Sequence, residues 1–406
     1  MPAAAAAGPS SAAPSGGGGG NPFQLATNLY CEKNNVGNLA TTTVTTSQTS
    51  GGGQINAGQY LRGVRLVVRA TASASVTTQN AAINDWPFNL LSQVDMVNVD
   101  GSEILYVMGG YAHYLRQKYG APWLGDPLLY SDANAATTAI PQFTLFLQPE
   151  IRWSAGVLAN TDTRSQYRFD YSVDTLANIT GANGSSYNTA SQAPAVTVVP
   201  YMDAWAQPDA EDLQGTPNQP VPPGLNLQRK SRHQIFTMNA NASDNILQSA
   251  LTGNAIRNQI FVHRNGGSVR SEGFTDPILW QLDNRSMGKL SVNDIGSAAG
   301  GTATSTGAAN GDMVNEWMAE QYAEYFAARV TGSTTTTTGY RREVGVYVFP
   351  RFLKPGSLYG QGWLYTANST KETFETTSGV STTATAELIT DEVYPVGPVD
   401  PQLTDI

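Results

Sequence analysis

Few side chains able to transfer protons, attack a substrate or hold a metal lie close together in this chain. The three histidines, His113, His233 and His263, are far apart, and none has a partner at metal-ligand spacing. Each reads as a satisfied structural residue in or beside a strand. The densest acidic group is Asp203, Asp209, Glu211 and Asp212. Glycoside hydrolysis would need two such carboxylates about 5 to 9 Å apart beside a cleft. These fall at a proline-rich stretch, so solvated carboxylates are the expectation. The densest basic run, Arg229-Lys230-Ser231-Arg232-His233, is either a polyanion contact or a salt-bridged loop, and the second is expected. Gly16 to Gly20 follows no strand and precedes no Lys-Ser or Lys-Thr, so it is no phosphate cradle. A Gly-x-Ser-x-Gly elbow is absent. The single cysteine, Cys31, excludes an intrachain disulfide and a multi-cysteine zinc site, and only Lys33 stands near it to activate the thiol. The sequence therefore predicts no catalytic, cofactor-binding or metal-binding residue, and no enzyme.

Composition points the same way. Charged residues are 14% of the 406, well under the usual quarter, while glycine (40) and proline (22) are abundant. A surface of small neutral groups suits a β protein with long loops, or one packed within an assembly. The net charge of −9 disfavours direct nucleic-acid binding, which needs clustered Lys and Arg. No apolar run approaches the ~18 residues of a membrane span. The start lacks the charged and apolar regions of a signal peptide, so synthesis and folding in a cytoplasm are expected.

The chain repeats itself weakly. Leu61-Arg62-Gly63-Val64-Arg65-Leu66-Val67-Val68-Arg69 has an echo 195 positions later in Ile256-Arg257-Asn258-Gln259-Ile260-Phe261-Val262-His263-Arg264. Asp85-Trp86-Pro87-Phe88-Asn89-Leu90-Leu91 is answered by Asp276-Pro277-Ile278-Leu279-Trp280-Gln281-Leu282, and Phe146-Leu147-Gln148-Pro149 by Phe352-Leu353-Lys354-Pro355. Three echoes in order predict two β-rich units of nearly two hundred residues, longer than solenoid or propeller repeats.

Residues 1–54, nearly all small and neutral, read as a flexible N-terminal arm. Strands are expected from Gln59, with Val64, Leu66 and Val68 on one face, and then at Leu90 to Val99 and Glu103 to Met108 around an Asp100-Gly101 hairpin. Tyr111 to Tyr119 reads as a short helix, with Gly120 as its left-handed stop. Further strands are Gln142 to Leu147, Gln166 to Val173 and Val196 to Tyr201. The first unit is placed at 55–207 and a proline-rich linker, with Pro217, Pro220, Pro222 and Pro223, at 208–228. The second unit is placed at 229–390 and a tail at 391–406. Its expected elements are strands at Gln234 to Met238, Gln259 to Arg264, Ile278 to Leu282, Glu343 to Phe349 and Gly362 to Tyr365. A helical turn at Ile246 to Leu251 and an amphipathic helix at Asp312 to Val330 complete them. Neutral loops are expected at 174–192, 296–311 and 331–339.

The run from Asp85 through the Asp100-Gly101 hairpin to Tyr111–Tyr119 and Gly120-Ala121-Pro122 resembles the first barrel of tectivirus-type major capsid proteins. So do Ala155-Gly156-Val157-Leu158-Ala159-Asn160 with Ser165-Gln166-Tyr167-Arg168-Phe169, and, in the second half, Ile260-Phe261-Val262, Asn265-Gly266-Gly267-Ser268 and Gly345-Val346-Tyr347-Val348. The likeness spans about residues 55 to 380 at low identity. It implies an all-β fold of two tandem eight-stranded jelly rolls. By the same resemblance, three chains form a pseudo-hexagonal homotrimer that tiles an icosahedral capsid, commonly over an internal lipid membrane, with vertex and minor capsid proteins as further virion partners. The reading is thus a major capsid subunit of a tectivirus-like bacteriophage, located in the virion. A phage polysaccharide-binding or depolymerising β-sandwich, and a minor vertex protein, stay open as rivals.

Overall fold

The structure is a computed structural model. It describes residues 24–26, 42–43, 47–57, 59–70, 85, 87–120, 142–151, 156–175, 178–179, 195–206, 227–240, 245–266, 269–270, 273–274, 278–290, 345–351, 363–377 and 383–395. Cys31, Trp86, most of the linker, the loops at 296–311 and 331–339, and the expected Asp312–Val330 helix lie outside the described residues.

The first half contributes β1 (Gln24–Ala26), β2 (Thr42–Thr43), β3 (Thr49–Gln54), β4 (Gln59–Ala70), β5 (Leu91–Val97), β6 (Glu103–Met108), helix α1 (Gly110–Gly120), β7 (Gln142–Leu147), β8 (Leu158–Asn160), β9 (Arg168–Val173) and β10 (Ala195–Ala206). The second contributes β11 (Leu227–Met238), β12 (Asn245–Ser249), β13 (Ala255–Asn265), β14 (Val269–Arg270), β15 (Ile278–Leu282), β16 (Arg285–Leu290), β17 (Val346–Pro350), β18 (Leu364–Tyr365), β19 (Glu372–Thr376) and β20 (Ala384–Pro395).

Apart from β14, which adds to the end of β13, the pairing in the halves is the same. In the first, β4 pairs with β7, β8 and β10, and β10 carries β1 and β2 on its far side. In the second, β13 pairs with β17, β18 and β20, and β20 carries β11. The opposing sheets run β3-β9-β5-β6 and β12-β19-β15-β16. Alternation builds these strands: in β4, Val64, Leu66 and Val68 are fully buried, while Arg69 is exposed. The predicted hairpin at Asp100-Gly101 is present as a three-residue loop: the Asn98 amide donates to Ser102 O at 2.8 Å, the Gly101 amide donates to Asn98 O at 3.0 Å, and Gly101 alone takes positive φ, +84°, while the Asp100 carboxylate accepts from the Ser102 amide at 2.8 Å.

Five readings need correction. Ile246 to Leu251 is no helical turn; it overlaps strand β12, whose Asn245, Leu247 and Ser249 point in and Ile246 and Gln248 out. A short apolar run does not distinguish the two states, and pairing with β19 decides it. The supposed arm contains β3, which adds to β9 because Gly51 leaves room for the Tyr171 ring; a Cβ there would lie 2.5 Å from it. The basic run is not a loop but part of β11, and β20 continues past residue 390 to Pro395. Finally, Gly120 is no left-handed stop, being the last residue of α1 and absent from the positive-φ residues. Its reason is close approach: a Cβ would stand 2.5 Å from Arg229 Nη2 and 3.0 Å from Asp391 Oδ2. Gly120→Ala should therefore destabilise the fold by about 1 to 3 kcal/mol despite its better helix propensity, measured by urea denaturation.

Every residue of α1 is buried, polar ones included, because it lies between the halves. Phe88, Leu91, Phe143 and the α1 residues Tyr114 and Leu115 join Ile260, Val262, Val346, Val348 and Ile389 of the second half in one core. The Phe88 and Tyr114 rings stack at 4.1 Å. The opposite face of the β13 sheet builds a second core around Phe261, Tyr347 and Phe374. Being covered on both faces, β13 has ten of its eleven residues buried.

Candidate functional site

Among the described residues, the features that differ from an isolated β-sandwich are its sheet edges. Edge β6 of the first half meets β11 of the second in a parallel bridge, Leu105 opposite Ser231, so one ten-stranded sheet runs through both halves. The topological equivalent of β6 is β16, which pairs only with β15 among the described residues. The equivalent of β11 is the β1/β2 position beside β10, and β1 likewise ends its sheet. The chain thus uses one edge-to-edge joint internally and leaves both matching edges at its ends. Met287 on β16 is 47% exposed and Tyr106 on β6 is 40% exposed. An unpaired strand with an exposed apolar side chain is a template for another chain.

The joint is ringed by buried charge. A β-bulge places Arg62 of β4 between the pairs Leu61–Ala204 and Gly63–Asp203, and another places Arg257 of β13 between Ile256–Glu392 and Asn258–Asp391. These two arginines are 195 positions apart, the offset of the first echo, so the sequence did carry this signal. Arg62 Nε donates to Glu150 at 2.6 Å and lies 3.6 Å from Asp203, which also takes Arg65 at 3.0 Å. Arg257 donates to Asp391 at 3.2 Å, and so does Arg229 at 2.6 Å. Asp203 is therefore a buried strand residue, not a solvated linker carboxylate, since it sits opposite the bulge; Asp209, Glu211 and Asp212 lie outside the described residues. Within the basic run, Arg229, Arg232 and His233 face Asp391, Glu392 and Glu387. Salt bridging, the expected alternative, accounts for them.

A cavity of about 260 Å³ opens between the halves beside Gly110, Asp85, Asp174, His233, Arg264 and Glu387. Its carboxylates are engaged. Asp85 takes Arg264 and Arg270, Glu387 takes Arg264 at 2.6 Å, and Asp174 accepts from Thr175 N and Asn178 Nδ2. Burial alone would raise the Glu387 carboxyl, but Arg264 and His233 outweigh it and hold it down to about 2. Burial pushes His113 down to about 3, so it stays neutral and Nε2 donates to Val94 O at 2.8 Å. His263 packs edge-on against Phe274. No group of three or more His, Cys, Asp or Glu able to hold a metal occurs among the described residues.

The outer face of the first half carries an opposed pair, Asp95 on β5 beside Asp170 on β9. Burial, then the charges of Asp170 and Glu103, raise Asp95 to about 6 against the pull of Arg168. A carboxyl raised in the fold favours the folded state below its ordinary 3.8, and that contribution is lost as pH climbs through 6. Asp95→Asn should accordingly stabilise the protein at pH 7 by about 1 kcal/mol, discounted for half exposure, and be neutral near about pH 3.5, as read from urea unfolding at both pH values.

These paired sheets and their repeated connectivity define a double jelly roll. The structure is similar to the major capsid protein of STIV, with a TM-score of 0.52 and 12% identity over 87% of this chain and 95% of that one. A chain of the atomic structure of Sulfolobus Turreted Icosahedral Virus matches with a TM-score of 0.53 and 10% identity, covering 89% and 92%. The major capsid protein P2 of bacteriophage PM2 matches at 0.44 and 10% identity, covering 88% and 96%. No protein-family profile matches the chain, and no curated protein does.

Proposed function

We propose that this protein is a self-assembling structural subunit, the major capsid protein of a tectivirus-like virus, located in the virion shell. The observation that carries this is the joint between its halves: like units meet edge to edge, and the two edges left over match the two already joined. Such an interface is heterologous, and repetition either closes a ring or grows a filament. Two units per chain and three chains per ring give the six near-equal sides of the pseudo-hexagonal trimer that the resemblance implies. Low surface charge supports this, because subunits packed on all flanks bury few unpaired charges. We place the first unit at Gln24–Ala206 and the second at Leu227–Pro395, following the sheet pairing.

Light scattering on the eluting peak tests the reading: a trimer weighs about 130 kDa, three times 43.2 kDa, and a monomer that binds polysaccharide would overturn it. The resemblance also implies a membrane beneath the shell. No described helix is long and apolar enough to cross one; lipid extracted from purified particles would test for that membrane.

A further inference from the structure

The two bulged arginines are an internal control for each other. In the first unit, the Glu150 amide donates to the Arg62 carbonyl, and the Glu150 carboxylate takes Arg62 Nε at 2.6 Å and Trp205 Nε1 at 3.0 Å, with Arg62 5.4 Å from the Trp205 ring centroid. In the second unit, the amide that donates to the Arg257 carbonyl belongs to Arg351, which is turned away to Glu372 and Gln259. Arg257 again lies over a tryptophan, Trp363, at 5.8 Å, although this ring comes from the segment before β18 rather than from the β10 equivalent. Here Arg257 Nε and Trp363 Nε1 are both buried, and neither has a hydrogen-bond partner among the described residues. They are the two donor types that Glu150 satisfies in the first unit.

Charge adds to geometry. Arg116, Arg229 and Arg257 are each 1% exposed, and Asp391 pairs with Arg229 and Arg257. Among the described residues Arg116 Nε and Nη1 are also without partners, and its Nη2 reaches the Phe146 carbonyl at 3.5 Å. Burial, with Arg229 beside it, pushes Arg116 down to about 9. The surroundings are apolar: Ile151, Ala255, Trp363 and Val393 form one cluster. Uncompensated buried cations are costly, and buried N–H groups without partners call for a bound ion or water.

We infer that the joint between the jelly rolls binds one small oxyanion, of the phosphate, sulfate or carboxylate class, between Arg257 Nε and Trp363 Nε1, in the role that the Glu150 carboxylate has in the first unit. The anion neutralises the Arg116–Arg229–Arg257 group and ties the second unit to α1.

Phosphate and sulfate also stabilise proteins by exclusion at high concentration, so the readout is direct binding at low millimolar concentration and constant ionic strength in chloride. Equilibrium dialysis of the full chain against inorganic phosphate should show saturable binding of about one ion per chain. Trp363→Phe, which keeps the ring and removes the donor, should weaken it about tenfold, whereas Trp205→Phe should leave it unchanged. Arg116→Met should weaken it about threefold or more, and it serves if Trp363→Phe fails to fold. Saturable binding of acetate with none of phosphate would support the same site with a carboxylate ligand. Absence of saturable binding by phosphate, sulfate and acetate alike, or wild-type affinity in both Trp363→Phe and Arg116→Met, would overturn the inference.

Discussion

Asp391→Asn should cost about 3 to 5 kcal/mol of stability, the largest effect of any single substitution considered, because it removes the carboxylate answering Arg229 and Arg257, both almost wholly buried. The carboxamide keeps the volume, so the loss is electrostatic rather than a cavity effect. The internal repeat supplies the comparison. Asp203 is the topological equivalent of Asp391, but its Arg62 keeps Glu150 at 2.6 Å, and its Arg65 is 36% exposed. Asp203→Asn should therefore cost only about 1 to 2 kcal/mol. Urea denaturation of both variants under identical buffer measures the difference. Equal losses would mean that the second unit's charge imbalance is not felt, which would also weaken the case for an oxyanion there.

The second large effect concerns assembly. Met287→Glu places a charge on the open edge strand β16, where Met287 is 47% exposed and is itself the bulged residue, between the pairs Trp280–Gly288 and Gln281–Ser286. Charged side chains on an edge oppose strand pairing between molecules. The expected result is a monomer in place of the proposed trimer, with unfolding free energy changed by no more than about 0.5 kcal/mol, as for other exposed substitutions. Light scattering gives the mass and denaturation gives the stability. A variant that remains trimeric would remove β16 from the interface and, with it, the argument that the internal joint is repeated between chains.

The sequence showed different parts of this structure unequally. The β4 and β13 strands were legible because buried and exposed residues alternate in them, and the 195-residue echo falls on equivalent strands with the bulged arginine in the same place. The second echo is out of step: Leu91 only begins β5, whereas Ile278–Leu282 forms the whole of β15. The later copy of the third lies outside the described residues, and hydrogen bonding aligns Arg351 with Glu150 instead. Strands β3, β19 and β20 were missed or cut short, since Thr, Gly and Glu in them carry no apolar period. Their pairing comes from partners far along the chain, as with Thr49 beside Val173 and Leu227 beside Pro395.

Local pattern by itself determined the β-rich class, the Asp100-Gly101 hairpin, the helix at Tyr111–Tyr119 and the doubling of the unit, because each depends on residues within a few positions or on a direct repeat. The tertiary structure alone decided which carboxylate meets which arginine, why Gly120 must lack a side chain, and which sheet edges are joined and which are open. Those depend on groups as far as 162 residues apart being brought into contact inside a low-dielectric junction, and no spacing along the chain encodes that distance.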